Sequence, residues 1–486
     1  MAYKHGVYNT EQATSLTVPI QGSAGLQVIF GTAPIHLAKD PAAAVNTPKL
    51  VYSYKEAVEA VGYSDDFENF TLCQSISACF QVFNVAPIIL VNVLDPNKAA
   101  HVTQNQAESC DVVDGVVLYD KKYVLLNTLA VKNGSATLVA GSDYEAAHED
   151  DGSVAITLLS TAAKEASSLT VSSTSLKPSG VTAADIVGGV DASTGKETGL
   201  ELIRQIYPTL GMVPGLILAP GWSHTPTVAA ALQAKTENIN GNFNCSCLLD
   251  ISPDSDGAVV YTSVKGAKEA LGASSPHAAA LWPMVAVGEK KYYFSAMFAA
   301  LTAYTDANNA DVPYESPSNK DLRITATVLK DGTTVALDQQ QADAVLNANG
   351  VITAVNADGF KSWGNNTAAY PSTTDPKDRW WAVRRFFDWD GNNFIRTYFQ
   401  KVDKPGNKRL IQSIVDSQNI IGNGYVARDY CAGYRVEFRS DENPVTNLLA
   451  GHLTTHTYMA PYIPAEYIEN VREYDVDALE SAIGGE

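Results

Sequence analysis

The stretch D375-PKDRWWAVRRFFDWDGNNFIRTYFQKVDKPGNKRLIQSIVDSQNIIGN-G424 decides how this chain is read. Asp375 has the place of an N-cap and Pro376 that of the first helical residue, since proline lacks only an N–H that a first turn leaves unbonded anyway. Leu410, Ile411, Ile414 and Val415 mark a second helix, for which Gly422-Asn423-Gly424 reads as the stop. Between Lys377 and Arg409 stand nine Lys/Arg and four Asp/Glu, in a chain of net charge −19. After Ala465 the balance reverses, with seven Asp/Glu and one Arg in GHLTTHTYMAPYIPAEYIENVREYDVDALESAIGGE and its strand-like arm. A positive block and a negative tail in one chain suit copies that bind each other, or a common partner, in fixed register. Trp380, Trp381, Phe386, Phe387 and Trp389 among Arg379, Arg384 and Arg385 fit either a helix with a buried aromatic face or an interface, where Trp, Phe and Arg are enriched.

Outward from this block the texture varies. At 486 residues the chain is long for one core, and about two to four domains are expected. Thr14–Ile20 is rich in β-branched residues, and Pro19 confines it to an edge or an end. Leu26–Phe30 is a short strand closed by Gly31. Tyr54–Val61 and Asn69–Phe83 are helices, and Val85–Val93 is a buried strand. From 107 to 195 helical periodicity gives way to short alternating runs, with hairpin signals at Asn133-Gly134 and Asp151-Gly152. This is the pattern of an inserted all-β, surface-exposed domain, whose exit Ser167–Ser179 suits a loop or short strand. From Leu200 to Asp306 strands (Pro214–Leu218, Cys245–Ile251, Ala280–Val287) alternate with helices (around 202–210, from Pro226, Ser263–Leu271, Phe294–Thr305), as in a sheet flanked by helices. A hairpin is expected around Asp331-Gly332, and strands at Tyr434–Phe438 and His452–Met459. The fold class is multidomain α/β (α+β). Its divisions are an N-terminal arm (1–30), a core part (31–106), the β insertion (107–195), an α/β core (196–360), a C-terminal domain (361–464) and a C-terminal arm (465–486).

Gly189–Thr198 (GVDASTGKET) fails as a phosphate loop: five residues rather than four separate its glycines, and Glu197 stands where Ser/Thr should hold Mg²⁺. Ser223 in GWSHT follows a strand and precedes a helix, yet lacks the second glycine of a nucleophile elbow. Cys245 and Cys247 face one side of a strand and could meet His452 and His456 around zinc, but no Cys-x-x-Cys spacing supports it; buried thiols are the plainer reading. Glu149-Asp150-Asp151 and Asp254-x-Asp256-Gly257 match no full calcium loop. No cofactor, metal or enzymatic activity is expected. Strong net acidity argues against nucleic-acid binding, which needs a basic footprint. No apolar run reaches the ~20 residues that span a bilayer, so membrane insertion is not expected. The N-terminus has no apolar h-region, and six sparse cysteines read as reduced thiols.

Four stretches together resemble the contractile tail sheath proteins of bacteriophages and related injection machines: the block above with its tail, VPYESPSNKDL (Val312–Leu322), GVITAVNADGFKSWGNNT (Gly350–Thr367) and the opening KHGVYNTEQATSLTVPIQGSAGLQVIFGTAP (Lys4–Pro34). The 107–195 segment departs from that family core. The resemblance implies a sheath-type core with extended arms and a non-enzymatic subunit of a virion tail, made in the host bacterial cytoplasm. Its partners would be itself, as a helical polymer of stacked six-fold rings, an inner tube protein, and baseplate and tail terminator proteins. Arms of adjacent subunits would join a shared sheet, here through Val7, Leu16, Val18 and Ile20 at one end and Tyr467, Ile468, Val471, Tyr474 and Val476 at the other. Arg384, Arg385, Arg396, Lys401, Lys404, Lys408 and Arg409 would face the tube or an acidic patch on a neighbour. The competing readings are an α/β hydrolase-like enzyme carrying a β insertion and a surface-layer or adhesin protein.

Overall fold

The structure is a computed structural model that describes residues 20–21 and 24–484. Its centre is an eight-stranded sheet built from β1 (Gln27–Gly31), β2 (Lys49–Val51), β3 (Ile88–Asn92), β4 (Leu216–Leu218), β5 (Ser246–Asp250), β6 (Ala278–Leu281), β7 (Val351–Asn356) and β8 (Phe360–Trp363). The spatial order is β8-β7-β6-β5-β4-β1-β3-β2. The six inner strands run parallel, and β2 and β8 close the edges antiparallel. Ile217 of β4 lies between Val28 of β1 and Cys247 of β5. Parallel sheets are covered on both faces, which is why these strands are continuous apolar runs. Val28, Ile29, Phe30, Ile89, Leu90, Leu216–Leu218 and Cys247–Leu249 are all buried. The core stretches expected at 31–106 and 196–360 therefore share one sheet. The boundary drawn at 360/361 cuts through β8, which pairs with β7 from Asn356↔Phe360 to Thr353↔Trp363.

Residues 102–176 form two smaller sheets. Val102–Asp111, Ser168–Leu176, Ala130–Asn133 and Ala136–Thr137 make one, and Tyr144–His148, Val154–Leu158 and Val116–Tyr119 the other. Val117, Tyr119, Val131, Ile156, Leu169 and Val171 make a hydrophobic cluster separate from the main one. Both expected turns join antiparallel strands. Of the two forms expected for the Ser/Thr-rich exit, it takes the strand. Ser168–Leu176 is a nine-residue strand that turns Leu169 and Val171 inward, with Ser168, Thr170, Ser172 and Thr174 on the wetter face and Ser173 and Ser175 buried against Asn105.

Other expectations need correction. Ala280–Val287 is two strands rather than one: β6 ends before Trp282-Pro283, and Met284–Val287 joins another sheet, where Pro283 need donate nothing to β6's ladder. Ala326–Val328 pairs with Met284–Ala286, and only a single bridge, Val328↔Thr334, remains of the hairpin at Asp331-Gly332. The helix sought over Asn69–Phe83 begins at Leu72 and widens into a π-helical turn at Ser77. All six free cysteines except Cys110 are buried.

Four helices position the surface considered next: α1 (Phe294–Asn308), α2 (Trp381–Tyr398), α3 (Lys408–Ala427) and α4 (Val476–Ile483). α1 is buried on nearly every side by its run of Ala, Phe and Met. Asp375 caps a single turn, Pro376–Arg379, as expected, but Trp380 leaves helical backbone before α2 begins. α3 runs straight through Gly422-Asn423-Gly424, so the expected stop is absent. A Cβ on Gly422 would lie inside the Tyr434 ring, while one on Gly424 would meet nothing within 4 Å. The first glycine is present for close packing, not to end the helix.

Candidate interaction surface

Two further strands, β9 (Cys431–Glu437) and β10 (His456–Pro461), form an antiparallel ribbon with Tyr434 opposite Met459 and Val436 opposite Thr457. The ribbon lies on α3 and is held from within. Tyr434 OH accepts from Gln418 Nε2 at 2.5 Å and donates to Asp390 of α2, 3.0 Å from its Oδ2. Phe386, Tyr430, Cys431 and Val436 close a small core around it. Among the described residues each strand has only one strand neighbour; Asn419 of α3 bonds both the N–H and the C=O of Val436 at 2.9 Å, so β9 is partly capped by its own helix, while no further strand lies beside β10.

Asp390 gives this packing a pH dependence. Burial raises its carboxyl to about 6 against the pull of the Tyr434 hydrogen bond. An acid whose folded pKa lies above its unfolded value, ordinarily ~3.9, stabilises fully below pH ~4, and that contribution is lost as pH rises through about 6. Asp390→Asn, neutral and of the same shape, is therefore expected to raise stability by about 1–2 kcal/mol at pH 7.5 and to change nothing at pH 4. Denaturant titrations at the two pH values check this.

α2 is bolted to the main sheet by polar contacts spaced along its length. Arg385 is buried against Asp306 at the end of α1, with Nη1 3.1 Å from Oδ1. Asp388 accepts from Arg384 at 2.9 Å and meets His277 Nδ1 at 3.0 Å. Asn392 Nδ2 donates to the Asn244 carbonyl at 2.7 Å, and its Oδ1 accepts from the Asn244 N–H at 3.0 Å. This corrects two of the seven expected surface cations. Arg385 is buried in a pair within its own chain, and Arg384 is mostly buried between Asp378 and Asp388. Both lie on the α2 face turned to the core, so neither offers free charge to a partner. The other five are at the tip where α2 ends and α3 begins. Arg396, Lys404, Lys408 and Arg409 are exposed and Lys401 half-buried, and among the described residues none forms an ion pair.

The arm residues divide by end. Val7, Leu16 and Val18 lie outside the described residues. Ile20 is in a two-residue strand whose backbone runs parallel to Val85–Ala86 of the same chain. At the other end Tyr467, Ile468, Val471 and Tyr474 are 79, 86, 83 and 69% exposed. They lie in backbone without secondary structure rather than in a strand, and Val476 begins α4, a helix the strand-like reading did not anticipate. The root of this segment is fixed by a residue the sequence reading left unassigned: Arg379 Nη2 bonds Glu466 Oε2 at 3.1 Å while its guanidinium stacks 4.1 Å from the Trp380 ring centre and 4.6 Å from that of Tyr370. The pair of motifs around Ser316–Lys320 and Trp363–Asn366 meets here. Ser316 Oγ donates to Asn365 Oδ1 at 2.7 Å, Gly364 N to Ser318 Oγ at 3.0 Å and Asn319 N to the Ser362 carbonyl at 2.6 Å. Together with residues 462–467 they wall a cleft of about 860 Å³.

Ser223 is fully buried, and its hydroxyl donates to Asp250 at 2.8 Å rather than to a histidine, as does that of Ser295 at 2.5 Å. His224 instead stacks on Tyr293. Cys245 and Cys247 are buried, burial pushing both thiols up, while His456 bonds Glu442. Among the described residues no group of three or more His, Cys, Asp or Glu could hold a metal, and no helix is long and apolar enough to cross a membrane.

No family model matches the chain. It is 27% identical over 499 residues to the tail sheath protein of Burkholderia phage BcepMu, with 99% of each chain covered. In fold it is similar to a chain of the anti-feeding prophage baseplate (TM-score 0.58, 16% identity, 98% of this chain and 100% of the other). It is likewise similar to a chain of the PVC sheath complex, an extracellular contractile injection system in its contracted state (TM-score 0.56, 15% identity, 98% and 99%).

Proposed function

Because this chain belongs to the contractile tail sheath family, as a structural subunit of such a sheath, we propose that its two arms link copies into a helical polymer by adding strands to the β9–β10 ribbon of neighbours. The observation that carries this is the coincidence, in one molecule, of a ribbon whose β10 has no second strand beside it among the described residues and a segment whose large apolar side chains are exposed. Strand addition satisfies both at once, since main-chain hydrogen bonds supply affinity and alternate side chains enter the neighbour. A link made through arms lets rigid bodies rotate without parting, as contraction requires.

In this reading subunits stack as six-fold rings around an inner tube, between a baseplate and a terminator, and energy is stored at assembly in an extended packing that contraction releases. The five unpaired cations at the α2–α3 tip supply the positive side of a contact with tube or neighbour. Within residues 107–195, the part that folds around its own apolar cluster, from Val117 to Val171, forms an inserted domain on the outer face whose removal is expected to leave polymerisation intact, whereas Leu176, Val181 and Ile186 pack into the main core. Negative-stain electron microscopy of the concentrated protein tests the arm mechanism. Hollow, helically striated cylinders are expected from the intact chain, and none from variants lacking residues 1–20 or 467–486. Cylinders from either truncated variant would refute it.

A further inference from the structure

We infer that α4 is a docking helix for a second copy of this chain, and that its seat is the basic tip between α2 and α3 of that copy. The inference rests on the reading of the chain as a polymer subunit. It adds a contact distinct from strand addition.

α4 is capped, with Asp475 Oδ1 accepting from Ala478 N at 2.9 Å. Val476, Leu479 and Ile483, at i, i+3 and i+7, form one stripe and are 61, 43 and 76% exposed. A helix this short is marginal in water unless an apolar face is packed. Among the described residues nothing packs on this one. Glu473, Asp475, Asp477 and Glu480 flank the stripe, are exposed, and are in no ion pair among the described residues. The helix is thus an apolar stripe edged with unpaired negative charge.

The tip carries the complement. Phe399 and Val402 are 68 and 62% exposed, and Lys401, Lys404, Lys408 and Arg409 surround them with unpaired positive charge, interrupted by the single carboxylate of Asp403. Apolar residues ringed by cations suit an apolar stripe ringed by anions, and like-charged alternatives are disfavoured. The tether has the reach for it. Glu466 is anchored on Arg379, and the nine residues between it and α4 are exposed and without secondary structure, which extended span about 30 Å. That is enough to leave the body and meet an adjacent molecule.

Sedimentation velocity of the full-length protein over a range of concentration and salt is the test. Wild type is expected to self-associate, less so at high salt, because the charges involved are exposed. Leu479→Asp/Ile483→Asp and, separately, Lys404→Glu/Lys408→Glu are each expected to weaken association at least ~10-fold, the loss typical of truncating an interface anchor. All four positions are exposed, so monomer folding is not at stake. Restoring the second variant by adding Asp477→Lys/Glu480→Lys would identify the two surfaces as partners. A wild type that stays monomeric, or a Leu479→Asp/Ile483→Asp variant that associates as wild type does, overturns the inference. Cylinders in the microscope with unchanged association of that variant would leave the sheath reading standing and this one refuted. Association that depends on α4 without cylinders would do the reverse.

Discussion

Arg385→Ala is expected to cost about 3–5 kcal/mol, the range for removing one partner of a buried ion pair and stranding the other charge. Arg385 and Asp306 are both almost wholly inaccessible, with side chains 3 and 1% exposed. Arg385 also reaches the Ala24 carbonyl at 3.4 Å, so the substitution frees a carboxylate and a backbone acceptor together. The pair joins α2 to the end of α1 and to the root of the first strand region. Its loss should loosen the ribbon-bearing part of the molecule before it disturbs the sheet. Hydrogen exchange should accelerate across 381–398 first, with 246–250 and 278–281 following only at global unfolding. Arg385→Met/Asp306→Leu should recover much of the loss, because a buried pair contributes little net once both charges are gone. If Arg385→Ala unfolds at the wild-type denaturant midpoint, the bolt is not where the structure puts it.

Gly422→Ala is the second large effect, and its sign runs against helix propensity. Alanine in a helix interior ordinarily gains about 1 kcal/mol over glycine. At 422 the added methyl would enter the Tyr434 ring, and overpacking of this kind costs about 1–3 kcal/mol or forces the ribbon off α3. Tyr434 would then also leave Gln418 and Asp390. Gly424→Ala, two residues on, has open space around it and should stabilise by about 0.5–1 kcal/mol. Opposite signs at neighbouring glycines of one helix, read from denaturant midpoints, are the signature. Stabilisation at both would mean the ribbon does not rest on Gly422.

The same pair of glycines marks where sequence reading reaches its limit. In sequence Gly-Asn-Gly is punctuation, and only the approach of Tyr434, twelve residues away in another element, makes the first glycine a packing residue. The inner strands β1, β3, β4 and β5 were legible because doubly covered parallel strands are unbroken apolar runs, as at Val85–Val93 and Cys245–Ile251, whereas the three-residue edge strand β2 offered no such run. The order of the sheet was not legible, since placing β1 between β4 and β3 depends on contacts nearly two hundred residues apart in sequence. Arg384 and Arg385 are adjacent to five other cations in charge but not in role: helix geometry turns them to the core side, and Asp306, 79 residues before Arg385, completes the burial. The helix in the last segment was within reach. Asp475 as cap and Val476, Leu479 and Ile483 at helical spacing stand in the sequence, and were masked by reading the whole segment as one extended arm. Arg379 stood out in sequence only as one cation of the aromatic block, and nothing beyond opposite charge joined it to Glu466.

The burial of sulfur has a consequence for the life of a finished particle. Cys73 and Cys79 are sealed in the core with their thiols pushed up to about 12, and Cys247 lies deeper still on that scale. Oxidants and disulfides react with the thiolate, which these residues scarcely form. An assembly that multiplies one subunit many times also multiplies every reactive group, and a single exposed thiol per copy would seed cross-links between layers meant to slide. Keeping five of six cysteines out of reach, with only Cys110 partly open on the outlying β segment, makes the moving parts indifferent to air and to the redox state of whatever medium the particle waits in.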